Sequence, residues 1–172
     1  MKHIRLLLLL FVSAVAISMA NPSVIVGKVV GVSDGDTFTL LQNNQQIRIR
    51  IDAIDAPEKG MPYSKSSKKY LSALCFGKIV KVNSVKVDRY GRTVARITLP
   101  NGKDVSTEMI RAGLAWHYKA YSTDKILSNL EIQARKNKVG LWKDNRPMAP
   151  WEVRKLHRKG ISTKKRFEGS PQ

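Results

Sequence analysis

The stretch that most constrains this chain is residues 48–58, RIRIDAIDAPE, which has the pattern of a strand ending in a cluster of charged residues. Isoleucine alternates with charged residues over its first half, so one face of the strand is apolar and the other is charged. The strand must end before Pro57, because proline lacks a backbone N–H and holds the preceding residue extended. Asp55 and Glu58 lie at this end, and Arg50 lies upstream on the charged face. Taken alone, the stretch is best explained as a half-buried strand that leads into a polar turn.

Two further stretches place charged residues at predicted turns. Asp34 and Asp36 flank Gly35 between two β-rich runs, and an Asp-Gly pair in that position is ordinarily just a turn signal. The second stretch is residues 88–92, DRYGR, which lies between two predicted strands. Each of the two stretches is by itself adequately explained as a turn.

Together and in this order, the three stretches resemble the staphylococcal nuclease (thermonuclease) family. The pattern of that family is an Asp-Gly-Asp-Thr turn, an arginine five residues before Asp-x-Pro-Glu, and then Asp-x-Tyr-Gly-Arg. In this sequence the resemblance extends from about residue 24 to residue 142. It implies the OB fold, a small Greek-key β-barrel of a kind that commonly binds oligonucleotides.

The residue pattern predicts the individual elements. The predicted strands are residues 24–32, residues 36–41, a central strand that stops near residue 56, residues 78–87 and residues 93–99. The predicted helices are one that opens at Pro62, one at residues 105–112 capped by Asp104 or Ser106, and one capped by Ser122 or Thr123. The apolar face of the last helix is predicted to hold Ile126, Leu127, Leu130 and Ala134. The pattern alone supports an α+β fold with an antiparallel sheet; the resemblance makes it a five-stranded OB-fold Greek-key β-barrel with about three helices packed on it.

The chain divides into three predicted parts. Residues 1–20 combine a basic start, an apolar run and small residues before a cut after Ala20, which is the pattern of a secretory signal peptide. A membrane anchor is the alternative, but the apolar run is shorter than the ~20 residues that a spanning helix needs. Residues 21–150 are predicted to form one nuclease domain, and residues 151–172 a flexible basic tail. The signal peptide implies a secreted or periplasmic protein, which we expect to be a monomer.

Net charge limits the partners of this chain. The formal charge is +18, and it falls to +16 when Lys2 and Arg5 leave with residues 1–20, which contain no acidic residue. So basic a protein binds polyanions, usually nucleic acid, although an anionic envelope or membrane surface is a rival explanation. Seven basic residues with no acidic residue between them lie in the predicted tail: Arg154, Lys155, Arg158, Lys159, Lys164, Lys165 and Arg166. The tail is therefore either a solvated appendage or a segment that binds polyanions.

Two residues with reactive side chains are predicted to be structural. Cys75 is the single cysteine, which rules out an internal disulfide, and its apolar neighbours predict a small buried core residue. His117 has no carboxylate or cysteine partner near it in the sequence, so a structural role is expected there as well.

The resemblance implies a one-metal hydrolytic site. Asp36 and Asp55 would hold one Ca²⁺, with the backbone carbonyl of Ala56 completing the protein ligands. These are hard oxygen donors, which suit Ca²⁺ or Mg²⁺ and not zinc. Glu58 would activate the attacking water as a positioned carboxylate. Ala56 stands where the best-known family member has threonine, so a hydroxyl that could help to orient water is lost.

The resemblance also implies the groups that bind the substrate. Arg50 and Arg92 would clamp the phosphate and stabilise its growing negative charge. Tyr90 and Tyr121 match positions where the family packs rings near the nucleotide, and such stacking tolerates any base. For Tyr121, a ring that fills the edge of the barrel is an equal alternative.

Arg50 also has a plainer explanation, which is an ion pair across the sheet with Asp52 or Asp88. Asp52 itself departs from the family, which more often has an apolar residue at that position. The other charged positions of the family pattern are occupied by matching residues.

The sequence therefore predicts a Ca²⁺-dependent nuclease that hydrolyses DNA and RNA with low sequence specificity, and the resemblance implies 3′-phosphate products. A non-catalytic OB-fold module that only binds nucleic acid is the alternative. A neutral residue at Asp36, Arg50, Glu58 or Arg92 would favour that alternative, and the sequence has none. A basic protein that associates with an anionic envelope is a third hypothesis.

Overall fold

The computed structural model describes residues 24–169, so the predicted signal peptide at residues 1–20 lies outside the described residues. Within this range the strands are Val24–Val32 (β1), Thr37–Gln42 (β2), Gln45–Ile51 (β3), Ile54–Asp55 (β4), Ile79–Val87 (β5), Thr93–Thr98 (β6) and Trp116–His117 (β7). The α-helices are Ser64–Cys75 (α1), Val105–Arg111 (α2), Lys125–Lys136 (α3), Pro150–Arg158 (α4) and Lys164–Phe167 (α5), and Gly140–Lys143 form a 3-10 helix.

A closed barrel is built from β1, β2, β3, β6 and β5 in that order. Neighbouring strands run antiparallel, except that β3 and β6 are parallel. The barrel closes around apolar side chains that alternate along each strand and point inward, away from water. These fully buried side chains include Phe38, Leu40, Ile49, Val82, Ala95 and Ile97. The predicted α+β fold with a five-stranded barrel is confirmed.

The end of β3 is where backbone pairing assembles the predicted site. β2 and β3 pair in register as far as Arg50, and Ile51 donates its N–H to the carbonyl of Asp36 at 2.8 Å. Ala53 then adopts a left-handed φ of 65°, which turns the chain from β3 into β4. The short strand β4 carries Asp55 and pairs with β7, so that the position of this carboxylate is fixed by a second sheet.

Helices α1 and α2 differ little from the prediction. α1 begins at Ser64 and not at Pro62, because Tyr63 adopts a left-handed φ of 62°, which is incompatible with a helix. α2 is capped by Asp104, one of the two predicted candidates, whose side chain accepts the N–H of Thr107 at 2.8 Å.

Helix α3 corrects two predictions. Its N-cap is Asp124, whose carboxylate accepts backbone N–H groups of the first turn, and not Ser122 or Thr123. Ile126 is 67% exposed, so it does not belong to the apolar face on which Leu127 is fully buried. Ile126 is adjacent to Leu127 in the first turn, and consecutive helical residues point about 100° apart, so burial of Leu127 leaves Ile126 at the solvent side.

The segment after residue 150 differs from the sequence prediction of a tail. Pro150 occupies the first turn of α4, where its missing N–H costs nothing, and Val153 is buried against the domain. The ring of Trp151 stacks on Tyr118 with centroids 5.1 Å apart and planes 3° from parallel. Residues 150–158 are therefore a docked helix in this structure, while the flexibility of the segment stays a prediction. Among residues 24–169, no helix has the length and apolar character needed to cross a bilayer.

Candidate active site

Two buried carboxylates and one arginine form the centre of the site. Asp36 is 6% exposed and Asp55 is 1% exposed, and they come from the turn before β2 and from β4. The Nη2 atom of Arg50 lies 3.2 Å from Oδ2 of Asp36 and 3.0 Å from Oδ1 of Asp55, so one guanidinium bridges both. Because isolated buried charges are costly, this bridge allows both carboxylates to remain inside the protein.

The guanidinium of Arg50 is fixed on its other side by the backbone. Its Nη1 donates to the carbonyl of Ile51 at 2.7 Å and to the carbonyl of Ile54 at 2.9 Å. These bonds hold the planar fork at the turn between β3 and β4. The plainer prediction for Arg50, an ion pair with Asp52 or Asp88, is not what the structure shows.

The turn before β2 orients Asp36. Its Oδ2 accepts the N–H of Ala56 at 2.7 Å, and its Oδ1 accepts the hydroxyl of Thr37 at 3.0 Å. Asp34 accepts the backbone N–H of Asp36, and burial together with the charge of Asp36 raises the pKa of Asp34 to about 6. Ala56 is thus in contact with Asp36 through its amide, whereas the ligand role of its carbonyl stays a prediction.

Glu58 lies at the rim of the site, just beyond Pro57, with its side chain 48% exposed. Its Oε1 accepts a bond from Nη1 of Arg154 at 2.5 Å, and Nη2 of the same arginine donates to Oδ2 of Asp55 at 2.6 Å. Burial raises the pKa of Asp55, which the bond from Arg154 opposes. Arg154 is therefore part of the site.

Sequence reasoning missed this role of Arg154. It counted the residue among the basic residues of the tail. The two partners of Arg154 are distant in the sequence, Glu58 by 96 positions and Asp55 by 99, and no local spacing predicts contacts over such a separation. The one available clue in the sequence is Pro147, Pro150 and Trp151, a pattern that suggests an extended segment packing back on the domain.

Arg92 and Tyr90 lie on a different turn from the carboxylates. Within the described residues, the side-chain hydrogen bond and the ion pair of Arg92 both go to Asp88, each at 2.7 Å. The guanidinium also lies over the ring of Tyr90, 5.4 Å from its centroid, and that ring is 65% exposed. The structure thus brings Asp36, Arg50, Asp55, Ala56 and Glu58 together, while the side-chain contacts of Arg92 lie within the β5–β6 turn, next to β3, where Thr93 pairs with Ile49.

Tyr121 belongs to an aromatic cluster with Tyr118 and Trp151. Its ring meets Tyr118 edge to face at 4.8 Å between centroids and remains 65% exposed. Nζ of Lys86 lies 5.2 Å from the centroid of Tyr121, a cation–π distance. An exposed ring with a cation beside it agrees better with substrate binding than with filling the barrel edge.

His117 and Cys75 have the surroundings of structural residues. The imidazole is buried between two hydroxyls, with Nε2 3.0 Å from Ser122 Oγ and Nδ1 3.0 Å from Ser128 Oγ. Burial lowers the pKa of His117, which keeps the ring neutral. Burial also raises the pKa of the Cys75 thiol to about 12, and the thiol bonds to the carbonyl of Leu71 at 3.1 Å.

The donor set at the centre of the site fits a hard divalent cation. Asp36 and Asp55 supply carboxylate oxygens side by side, and Glu58 adds a third carboxylate at the rim. Among residues 24–169, no group of three or more His, Cys, Asp and Glu is arranged as a ready-made metal site. Two buried carboxylates therefore suit a cation that takes its remaining ligands from backbone, water or substrate.

Comparison with known proteins places this site in a family. Residues 48–144 match the family model described as staphylococcal nuclease homologue. The chain belongs to the staphylococcal nuclease homologue family. As a member of this family it is a nuclease, a phosphodiester hydrolase, and its five-stranded barrel is an OB fold.

Curated relatives agree with the staphylococcal nuclease assignment. The chain is 44% identical over 133 residues to an uncharacterized endonuclease of Escherichia coli O157:H7, which covers 77% of this chain and 86% of the relative. It is 40% identical over 129 residues to an uncharacterized endonuclease of Haemophilus influenzae, covering 74% and 72%. It is 37% identical over 139 residues to the micrococcal nuclease of Shigella flexneri, covering 75% and 80%.

Proposed function

We propose that this nuclease is a Ca²⁺-dependent endonuclease that hydrolyses DNA and RNA with little sequence preference and leaves 3′-phosphate ends. The observation that carries this conclusion is the buried pair Asp36 and Asp55 bridged by Arg50, with Glu58 at the exposed rim. The fixed pair of carboxylates is suited to binding a cation, and the arginine beside it is suited to binding a phosphate. The exposed carboxylate of Glu58 is suited to accepting a proton from water.

The chain's own carboxylates supply two functions to the reaction. Asp36 and Asp55 hold the cation, which when bound stabilises negative charge on the phosphate oxygens as a Lewis acid. Glu58 accepts a proton from the attacking water, whose oxygen forms the new bond to phosphorus. The bond from phosphorus to the 5′ oxygen breaks, and the leaving oxygen takes a proton from solvent, which gives a 3′-phosphate and a 5′-hydroxyl.

The arginines stabilise the charge that grows on the phosphate. Arg50 is held by two backbone carbonyls and two carboxylates, so its guanidinium is oriented before substrate arrives. All four contacts are made by its Nη atoms, so a phosphate would bind at Nε or replace one of the carboxylate contacts. Arg92 is held by Asp88 next to the exposed ring of Tyr90, where it can bind the phosphate from a second side.

The low sequence preference follows from how the substrate is bound. A formal charge of +18 attracts any polyanion, whatever its bases. Tyr90 and Tyr121, each 65% exposed, offer rings on which any base can stack. We further propose that the protein acts as a monomer and is secreted or periplasmic, on the basis of the sequence of residues 1–20.

A cleavage assay tests the proposed function. The protein is incubated with plasmid DNA and with RNA, once with Ca²⁺ and once with excess chelator. We expect both substrates to be cut with Ca²⁺ and neither with chelator. Asp36→Asn should bind Ca²⁺ more weakly and lose most of the activity, because a neutral amide is a poorer ligand for a hard cation. Circular dichroism checks that this variant is folded.

The control variant is Asp52→Asn, which removes the same charge from the turn between β3 and β4 and should behave like the parent. Full activity in excess chelator would refute the Ca²⁺ mechanism. Binding without cleavage under all conditions would instead support the non-catalytic OB-fold alternative.

A further inference from the structure

Arg154 makes contacts that the catalytic scheme does not use. Its guanidinium donates to Oδ2 of Asp55 at 2.6 Å and to Oε1 of Glu58 at 2.5 Å, and a longer bond of 3.4 Å reaches Oδ1 of Asp55. Residue 154 lies beyond residues 48–144, the part of the chain that matches the family model. The pairing is thus a property of this chain's C-terminal segment.

The docked helix α4 delivers this guanidinium to the site. Val153, the residue before Arg154, is 2% exposed, and Trp151 stacks on Tyr118. The first turn is closed by Glu152, which accepts the backbone N–H of Ala149 at 3.3 Å. The neighbouring Lys155 is exposed on the same helix. The docked helix therefore directs the side chain of Arg154 at the carboxylates and leaves that of Lys155 in solvent.

The contacts of Arg154 fall on oxygens that a cation would need. Oδ1 of Asp55 is bonded to Arg50 and Oδ2 is bonded to Arg154, so both oxygens of this carboxylate already face a positive group. A cation held by Asp55 would need these same oxygens, and it would therefore lie at short separation from the guanidinium of Arg154. Two positive charges at that separation repel each other strongly in a partly buried site.

Glu58 leads to the same conclusion. Its Oε1 accepts the bond from Arg154 at 2.5 Å, so an attacking water has to compete with the guanidinium for this oxygen. The arrangement is therefore a satisfied resting state: the two carboxylates are neutralised without a metal, and neither is free for its proposed task.

We propose that Arg154 is a positioning residue of the active site, which holds Asp55 and Glu58 in place in the metal-free enzyme and competes with the divalent cation for them. The inference rests on the proposed Ca²⁺-dependent function and adds a regulation of the same site. The cation displaces the guanidinium from Asp55, and this displacement lowers the apparent affinity of the site for metal.

Calorimetric titration with Ca²⁺, in the absence of nucleic acid, tests the competition. Arg154→Gln should bind Ca²⁺ about tenfold more tightly than the parent, because its carboxylates are available without displacing a bonded group. Arg154→Lys, which keeps the charge but loses the planar fork, should lie between the two. Lys155→Gln is the matched control: it removes one charge from the same helix and should change the affinity less than twofold.

A thermal unfolding measurement tests the positioning role without metal. In chelator, Arg154→Gln should melt at a lower temperature than the parent, because Asp55 loses a bonded partner while buried. The rise in melting temperature on adding Ca²⁺ should be larger in Arg154→Gln than in the parent. Arg154→Lys should recover part of the loss in chelator.

Three results separate the possible outcomes. If the parent binds Ca²⁺ and requires it for cleavage, but folded Arg154→Gln binds it no more tightly, the competition is refuted and the proposed function stands. An equal gain in affinity in Lys155→Gln would also refute it, since bulk charge would then explain the effect. If the parent neither binds nor requires Ca²⁺, the proposed function fails and the competition fails with it.

Discussion

Arg50 makes polar contacts with four groups at once: two backbone carbonyls at 2.7 and 2.9 Å and two carboxylates at 3.0 and 3.2 Å. Only a planar fork with donors on several nitrogens can satisfy that set, because lysine presents its three donors from a single nitrogen. Arg50 therefore both contributes to the active site and stabilises the turn between β3 and β4.

We predict that Arg50→Lys lowers the turnover number roughly a hundredfold or more, the scale of removing one oriented donor to an oxyanion. The loss should be larger in turnover than in substrate binding, because the interaction forms mainly in the transition state. The same change should lower the free energy of unfolding by about 2 kcal/mol, because buried acceptors lose their donors. Steady-state kinetics and urea denaturation measure the two effects.

Arg92→Lys is the comparison. Its guanidinium pairs with Asp88 in a half-exposed turn, so the free energy of unfolding should change by less than about 1 kcal/mol. Its turnover should nevertheless fall, if Arg92 binds the phosphate. Parent-like turnover in both variants would mean that the arginines do not stabilise the transition state.

Single residues also show what sequence can reveal about the site. Asp36, Arg50 and Asp55 could be placed together only through the family resemblance, because the strand, turn and proline signals by themselves predicted polar turns. The exposure of Tyr90 and Tyr121 agrees with their predicted use, while their contact with nucleotide stays a prediction. Arg154 could not be found, because its contacts depend on where a helix almost a hundred residues further along docks.

At the level of elements, the turn between β1 and β2 packs directly on α1. A Cβ atom built on Gly35 would lie 1.9 Å from Oγ of Ser67 and 2.7 Å from Cβ of Ala56. The hydroxyl of Ser67 cannot easily move, because it donates to the carbonyl of Leu114 at 2.7 Å. Glycine is needed here for close approach of two elements, and the approach sets the position of Asp36.

We predict that Gly35→Ala lowers the free energy of unfolding by about 1–3 kcal/mol, the usual cost of overpacking a tight contact. Activity should fall as well, because the turn that carries Asp36 must shift. The matched control is Gly31→Ala, in β1, where the nearest atoms to an added Cβ belong to Thr39 at 3.8 Å and leave ordinary space. Chemical denaturation and cleavage assays on both variants test this. Equal stability of the two variants would contradict the packing explanation.

The elements differ in how well the sequence predicts them. β1, β5 and β6 were predicted within one residue, because long runs with alternating side chains give a strong signal. β4 and β7 were not predicted as a pair, since two residues in each carry no periodicity. α4 was missed because its buried residues are only Pro150 and Val153, and the rest of its sequence is mostly basic.

At the level of the whole molecule, the charge is distributed unevenly. The formal charge is +18, yet the centre of the site concentrates carboxylates at Asp34, Asp36, Asp55 and Glu58. A basic surface attracts the phosphate backbone, while an acidic centre needs a cation before a phosphate can approach closely. Binding of nucleic acid at the site is therefore expected to depend on the presence of Ca²⁺.

The closed barrel itself could not be derived from pattern alone. Closure depends on the parallel pairing of β3 with β6, which joins strands separated by α1 and β5 and has no local signature. The resemblance to a family supplied the barrel, and the parallel pairing itself was not predicted. The sequence placed the end of the nuclease domain at residue 150 from a change in composition, and helix α4 crosses that position beyond the residues matched by the family model.

The last prediction concerns the basic residues at the C-terminal end. A truncation after Trp151 would remove the buried Val153 and the site contact of Arg154, so substitution is the cleaner test. Helix α5 offers three exposed basic residues and contains no buried one: Lys164, Lys165 and Arg166. Changing all three to glutamine should leave turnover at saturating substrate unchanged, because α5 supplies none of the polar contacts described in the site.

If these three residues contact a single strand, the slope of log affinity against log salt should become less negative by about 2, since each phosphate contact releases a condensed counterion. Binding to an uncleavable oligonucleotide at several salt concentrations measures the slope. The comparison variant replaces three exposed lysines of α1 with glutamine, namely Lys65, Lys68 and Lys69. An equal change in both variants would show that net charge sets the slope. No change in the α5 variant would show that α5 does not touch the nucleic acid.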